Sequence, residues 1–286
     1  MRREIGGSVD VTFERGDLTF RATLGGSETG ETAVLLHGFP GSRATWDEVS
    51  PLLHRSGVRT VALEQRGYGP TSRPLEVSAY RLPELGADVL ALLDELGTGR
   101  CHLVGHDWGG NVAWYLAATT PHRLQSLTVL STPHPRALGR SMGRSLQGLR
   151  SLYAVAFQVP QLPEALLSAG GGRLLRSSLI MSGLDRELAT RYSGDLADPA
   201  AMRAALNWYR AAFRYPADTT AVGVIDVPTT YVWSRGDVAL GGVAARLTGD
   251  CVSGDYRFET LESSHWIPET RPSQTATLIL ERIRRA

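Results

Sequence analysis

Short continuous apolar runs and segments of helical period alternate along most of this chain. Thr32 to Leu36, Val58 to Leu63, Cys101 to Val104, Leu124 to Leu130 and Pro228 to Trp233 are apolar stretches bounded by turn-forming or charged residues. Strands of a parallel sheet, buried on both faces, read this way. Ahead of them, Val9 to Phe13 and Leu18 to Leu24 alternate apolar with polar positions around Arg15-Gly16-Asp17, which predicts a hairpin at the sheet edge. Thr45 to Leu53, Leu82 to Leu96, Val112 to Ala118 and Ser273 to Ile283 have helical period. Such alternation predicts an α/β fold: βαβ units building a mostly parallel, twisted sheet flanked by helices.

After Leu130 the alternation stops. From about Arg136 to Val222 the pattern is helical, broken by Pro160, Pro163, the Gly170-Gly171-Gly172 run and Pro199, and no buried-strand signature occurs. The strand pattern resumes at Val224-Ile225. We therefore expect a core domain made of residues 1–135 and 223–286, with an all-helical cap (lid) of residues 136–222 over the sheet's carboxyl edge. The glycine run reads as a loop between cap helices.

The composition narrows the chemistry. At 286 residues the chain has the length of about two typical domains, or of one large α/β domain with an insertion. Its 30 basic residues are all Arg, so no lysine can serve as a Walker A residue, Schiff base or general base. They balance 29 acidic residues without a basic block, which argues against nucleic acid as a partner. Cys101 and Cys251 are too few and too far apart for a disulfide framework or a zinc site, and suit buried thiols in a reducing cytoplasm. The N-terminus has no apolar signal-peptide region. No run reaches the roughly 18–20 apolar residues of a spanning helix, so a soluble, cytoplasmic protein without a membrane partner is expected. A homodimer is compatible with the chain but not specified by it. The Arg, Ala and Gly bias suggests a GC-rich, bacterial source.

Gly105-His106-Asp107-Trp108-Gly109 lies between an apolar strand and an amphipathic helix. Alone, such a segment reads as a glycine turn with an N-capping Asp. In the order strand, sharp turn, helix it reads as a nucleophile elbow, with Asp107 where an esterase has Ser. Its flanking glycines are expected because a strained nucleophile leaves no room for a Cβ on either side. His37-Gly38-Phe39-Pro40-Gly41 follows an earlier strand and is the expected oxyanion loop, with the backbone N–H groups of Phe39 and Trp108 as donors. His37 itself reads as a structural hydrogen-bonder. The acid should follow a later strand, and Asp237 in Ser234-Arg235-Gly236-Asp237 does so; Asp226 lies at the wrong end of that strand. His265 in Ser264-His265-Trp266-Ile267-Pro268 stands where the base belongs. The histidines at 54, 102, 106, 122 and 134 are expected on helix ends or in loops away from it.

These motifs resemble the epoxide hydrolases of the α/β-hydrolase superfamily, nearly end to end: H-G-F-P (37–40), Q-R-G-Y-G (65–69), G-H-D-W-G-G (105–110), S-T-P-H-P (131–135), G-D (236–237) and S-H-W-I-P (264–268). Glu64 departs from the pattern, which more often has Asp there; the change is expected to affect the loop more than the chemistry. The resemblance implies two cap tyrosines that hydrogen-bond an epoxide oxygen. Tyr153, with Phe157 one helical turn on, is similar to the first setting, and Tyr209 in Leu206-Asn207-Trp208-Tyr209-Arg210 to the second. Phe39, Trp108, Phe157, His134 and Trp266 are the candidate substrate-binding residues.

The implied reaction is hydrolysis of a lipophilic epoxide to a vicinal diol. Asp107 opens the ring to form an alkyl-enzyme ester, and water activated by His265 and Asp237 hydrolyses it, without a metal or organic cofactor. A haloalkane dehalogenase would share Asp107 and Trp108 but would want Asn at Phe39 and would have no use for the tyrosines. A fluoroacetate dehalogenase would want Arg residues after the nucleophile, where Gly110 and Asn111 stand. An esterase or C–C hydrolase is disfavoured by Asp107 in place of Ser. An inactive α/β-hydrolase serving as a small-molecule receptor is disfavoured by the intact Asp107, Asp237 and His265 set.

Overall fold

A computed structural model describes residues 3–5 and 7–286. Among the described residues nine strands form one sheet: β1 (Arg3–Ile5), β2 (Ser8–Arg15), β3 (Leu18–Gly25), β4 (Thr32–Leu36), β5 (Arg59–Glu64), β6 (Cys101–His106), β7 (Leu124–Leu130), β8 (Thr229–Ser234) and β9 (Tyr256–Leu261). Their order is β1-β2-β3-β5-β4-β6-β7-β8-β9. The expected hairpin is β2–β3, closed by Gly16 at φ +58, and it pairs antiparallel with β5. Every pair from β4–β5 through β8–β9 is parallel. Three-residue β1 extends the hairpin edge; so short a segment has no readable alternation.

The apolar strands are buried on both faces because helices cover both. Successive side chains of a strand point to opposite faces, and the core divides accordingly. Val34, Leu36, Val61, Leu63, Leu103 and Val129 pack under helices Leu82–Glu95 and Trp108–Thr119. Ala33, Leu35, Ala62, Val104 and Leu130 pack against Leu53, Ile267, Ala276, Ile279 and Ile283 on the other side. One expected helix is divided. Thr45 to Leu53 contains Pro51, which cannot donate a backbone bond and crowds the preceding turn; a 3-10 turn at Arg43–Trp46 is followed by a separate helix, Ser50–His54.

Between β7 and β8 the chain is helical, from Pro135–Met142 to Pro216–Thr220. Within it, Gly170, Gly171 and Gly172 all have φ between 58 and 74°, breaking Leu162–Met181 into two helical pieces. Pro199–Arg214 turns Met202, Leu206 and Trp208 into the core that also receives the sheet's first face.

Candidate active site

The carboxyl ends of β4, β6, β8 and β9 converge, as open α/β sheets arrange their sites. Asp107 follows β6 at φ 51, ψ −121°, a conformation that L-residues rarely adopt and that lifts the side chain off the strand–helix turn. The glycines around it follow from contact. A Cβ on Gly105 would strike the carbonyl of Gly109, one on Gly109 the carbonyl of Leu36, and one on Gly38 the Asp107 side chain.

The two oxygens of Asp107 face different partners. Oδ1 accepts a hydrogen bond from the Phe39 backbone N–H at 2.8 Å, and the Trp108 N–H also favours the ionised carboxylate. Oδ2 lies 3.6 Å from Nε2 of His265. Nδ1 of His265 is 2.8 Å from Oδ2 of Asp237, whose Oδ1 accepts from the backbone N–H groups of Ala239 and Leu240 at 2.8 Å each. Burial works against the charged form of Asp107, but His265 and these donors hold its carboxyl below the usual value. Burial likewise disfavours a charged His265, yet the flanking carboxylates of Asp237 and Asp107 raise its pKa well above normal.

The imidazole is held from behind. Ser131 Oγ and His106 Nε2 donate to the His265 carbonyl at 2.7 and 3.0 Å. The His106 ring centroid is 5.0 Å from that of His265. This corrects the expectation that His106 lies in a loop away from the site; it ends β6, and His102 is the second residue of that strand, not on a helix end or in a loop. Burial, followed by the neighbouring His265, pushes the His106 pKa down to about 4. It is a neutral donor, and its partner being a carbonyl assigns the proton to Nε2.

Above Asp107 opens a cavity of about 410 Å³, a volume suited to a small organic ligand. Phe39, Asp107, Tyr153, Phe157, Tyr209, His265 and Trp266 line it, with Leu174, Leu175, Ser178, Leu179 and Ser182 from the helical stretch. Positions 175, 178, 179 and 182 fall on one helical face, a spacing that was readable in the sequence. Tyr209 packs edge-on against Phe39, Trp108 and Phe157 at 5.4, 4.9 and 5.1 Å between centroids, and its ring is 5.9 Å from that of Tyr153. Arg210 joins the two tyrosine-bearing segments, donating to the carbonyls of Phe157 and Val159 while pairing with Glu164 at 2.6 Å. Burial first, and then the charge of Asp107 for Tyr153 and the neighbouring Tyr153 and Asp107 for Tyr209, raises both tyrosine pKa values, so both hydroxyls keep their protons.

Two expected substrate contacts are not on the cavity wall. His134 is buried at the start of a helix, bonded through Nε2 to the Gly223 carbonyl at 3.0 Å and packed on Trp114. Its ring is used to tie two chain segments together. The Trp108 indole packs against Trp208 and the cavity residue Tyr209, while its backbone N–H serves Asp107. Glu64, the departure from the expected turn, is buried where Oε1 accepts from the Arg43 N–H at 3.2 Å and lies 3.2 Å from His37 Nε2. It ties β5 to the segment after the oxyanion loop through the Arg43 N–H, while the His37 ring, accepting at Nε2 from the Gln65 N–H at 3.2 Å, has the structural place expected. The Phe39–Pro40 bond is cis.

The family described as alpha/beta hydrolase fold matches residues 33–272. The AB hydrolase superfamily protein YfhM of Bacillus subtilis is 34% identical over 271 residues, which are 92% of this chain and 94% of that one. Human epoxide hydrolase 4 is 30% identical over 280 residues, covering 94% of this chain and 76% of its own. The crystal structure of epoxide hydrolase A from Mycobacterium thermoresistibile superposes with a TM-score of 0.82 at 25% identity, over 97% of this chain and 98% of that one. Matched over most of its length by that family and by these relatives, the chain belongs to the α/β-hydrolase family.

Proposed function

We propose that this protein hydrolyses a lipophilic epoxide to a vicinal diol through an ester on Asp107. The reading assigns residues 1–135 and 223–286 to a catalytic core and 136–222 to a cap that carries the proton donors. The observation that carries it is the division of labour at Asp107. One oxygen is held by the Phe39 N–H, and the other faces His265 and a cavity into which two protonated tyrosines project.

An ionised carboxylate attacks an sp³ carbon without help from a base. Oδ2 forms the C–O bond, the strained ring C–O bond breaks, and the emerging alkoxide takes a proton from Tyr153 or Tyr209. The ester carries no charge, so one of the two anions that hold the His265 proton has gone. His265 then returns a proton to the tyrosinate and becomes the neutral base that the second step needs. It removes a proton from water attacking Cγ, while Asp237 stabilises the resulting imidazolium. Oδ1, already beside Phe39 N–H and Trp108 N–H, becomes the oxyanion, a placement worth about 3 kcal/mol per donor in such sites. The diol leaves with Oδ2, and the oxygen of water stays on Asp107.

Lipophilic substrate follows from the aliphatic and aromatic wall. A dehalogenase's second halide contact would need Asn at position 39, where Phe39 stands on the wall, and among the described residues no arginine lines the cavity to hold a carboxylate substrate. The test is a single turnover with styrene oxide in ¹⁸O-labelled water. The expected result is unlabelled diol with the label retained in the peptide containing Asp107. Labelled diol in that first turnover would refute the ester route, and absence of diol from this and other epoxides would refute the substrate class.

A further inference from the structure

The helical stretch has an unusual outer surface. Eleven of the fifteen large apolar side chains that stand exposed among the described residues fall within residues 131–184, with Leu146 at 69%, Leu149 at 65% and Met181 at 80% exposure. This span holds six arginines and a single acidic residue, Glu164, which is buried against Arg210. Arg144, Arg150, Arg173 and Arg176 have no ion-pair partner among the described residues, whereas Arg140 meets Asp250 at 3.4 Å. The apolar surface runs into the cavity: Tyr153, Leu174 and Val238 are each more than 40% exposed and also line it.

We propose that this face binds the surface of an anionic lipid bilayer and presents the cavity mouth to it. Apolar side chains interleaved with unpaired arginines are the makeup of segments that lie in the headgroup region, where apolar burial and attraction to anionic lipid act together. A second copy of the chain fits less well. A two-fold contact sets the same patch against itself, and here that would bring arginine to arginine, with acidic side chains only at the span's edge, Asp185 and Glu187. The expectation that no membrane partner exists rested on the absence of a spanning run; a surface-lying face lies outside what span length can detect. If the epoxide reading holds, substrate dissolved in the bilayer enters the cavity without crossing water. That corollary rests on the proposed function, and the lipid binding does not.

Flotation of the whole protein with vesicles tests the binding whatever reaction the site performs. Vesicles of phosphatidylcholine mixed with phosphatidylglycerol should carry the protein upward, vesicles of phosphatidylcholine alone should carry much less, and salt should release it. Arg144→Glu with Arg173→Glu should weaken partitioning at least about fivefold for each arginine removed. Leu146→Glu with Leu149→Glu should abolish it, with melting behaviour and turnover of soluble styrene oxide unchanged, since all four side chains are exposed and outside the site. No flotation, equal flotation on neutral vesicles, or undiminished flotation of both variants would overturn the proposal. So would light scattering that shows a dimer dissolved by the two leucine substitutions, which would assign the face to a second copy.

Discussion

The backbone N–H of Phe39 donates to Oδ1 of Asp107 at 2.8 Å, while Oδ2 faces His265. On the proposed ester route, Oδ1 is the oxygen that carries negative charge in ester hydrolysis, and Oδ2 is left for attack. The two steps thus depend on different groups, and substitutions should separate them.

His265→Gln should leave attack intact and stop hydrolysis. After mixing with an epoxide, intact mass spectrometry should find nearly all protein heavier by one substrate mass, with turnover down by about 10⁴-fold or more. Asp107→Asn should show neither adduct nor turnover. Steady turnover by the His265 variant would remove the imidazole from the reaction.

On the same route, Tyr153→Phe and Tyr209→Phe would each remove one donor to the alkoxide while preserving ring packing. Each should slow ester formation by about 10²-fold, and the double variant by far more than either. The quench of tryptophan fluorescence, with Trp108 next to Asp107, provides the rapid-mixing signal. A variant that alkylates at the original rate would assign that tyrosine to packing alone.

Gly105→Ala should destabilise the fold, because the added methyl meets the Gly109 carbonyl within the tight strand–helix turn. A cost of about 3 kcal/mol is expected, a fall in Tm of roughly 5 °C for a chain of this length. Gly99→Ala, which meets nothing within 4 Å, should be nearly neutral and is the control. Equal melting points would show that the turn relaxes around a side chain.

Glu269 links stability to pH. Burial pushes its carboxyl up to about 7, against hydrogen bonds from Thr45 and Tyr192 and the charge of His265, and its Oε2 is buried without a partner. The folded chain therefore holds this proton more tightly than the unfolded chain, in which the group titrates near its ordinary 4.5. Its contribution is complete below about 4.5 and declines as pH rises through about 7, by on the order of 3 kcal/mol at most. Glu269→Gln, neutral throughout, should flatten that slope in urea unfolding measured at the two ends of the window. An unchanged slope would assign the pH dependence to other groups.

The chain's pattern determined the parallel sheet, the helical interruption and the loops that carry Asp107, Asp237 and His265. Each rests on local physics: continuous apolar runs need cover on both faces, and glycines mark turns where a Cβ has no room. Side-chain direction after the chain has folded is not local. His134 and Trp266 both sit in motifs beside the site, yet packing turns His134 toward Gly223 and leaves Trp266 on the cavity wall. Trp108 contributes its backbone to the site and its indole to a neighbouring cluster. The pairing of His106 with His265 joins residues 159 positions apart, and the Tyr192–Glu269 bond joins residues 77 apart. Such contacts depend on how β6, β9 and the helical stretch pack together, a many-body result that no window of sequence contains.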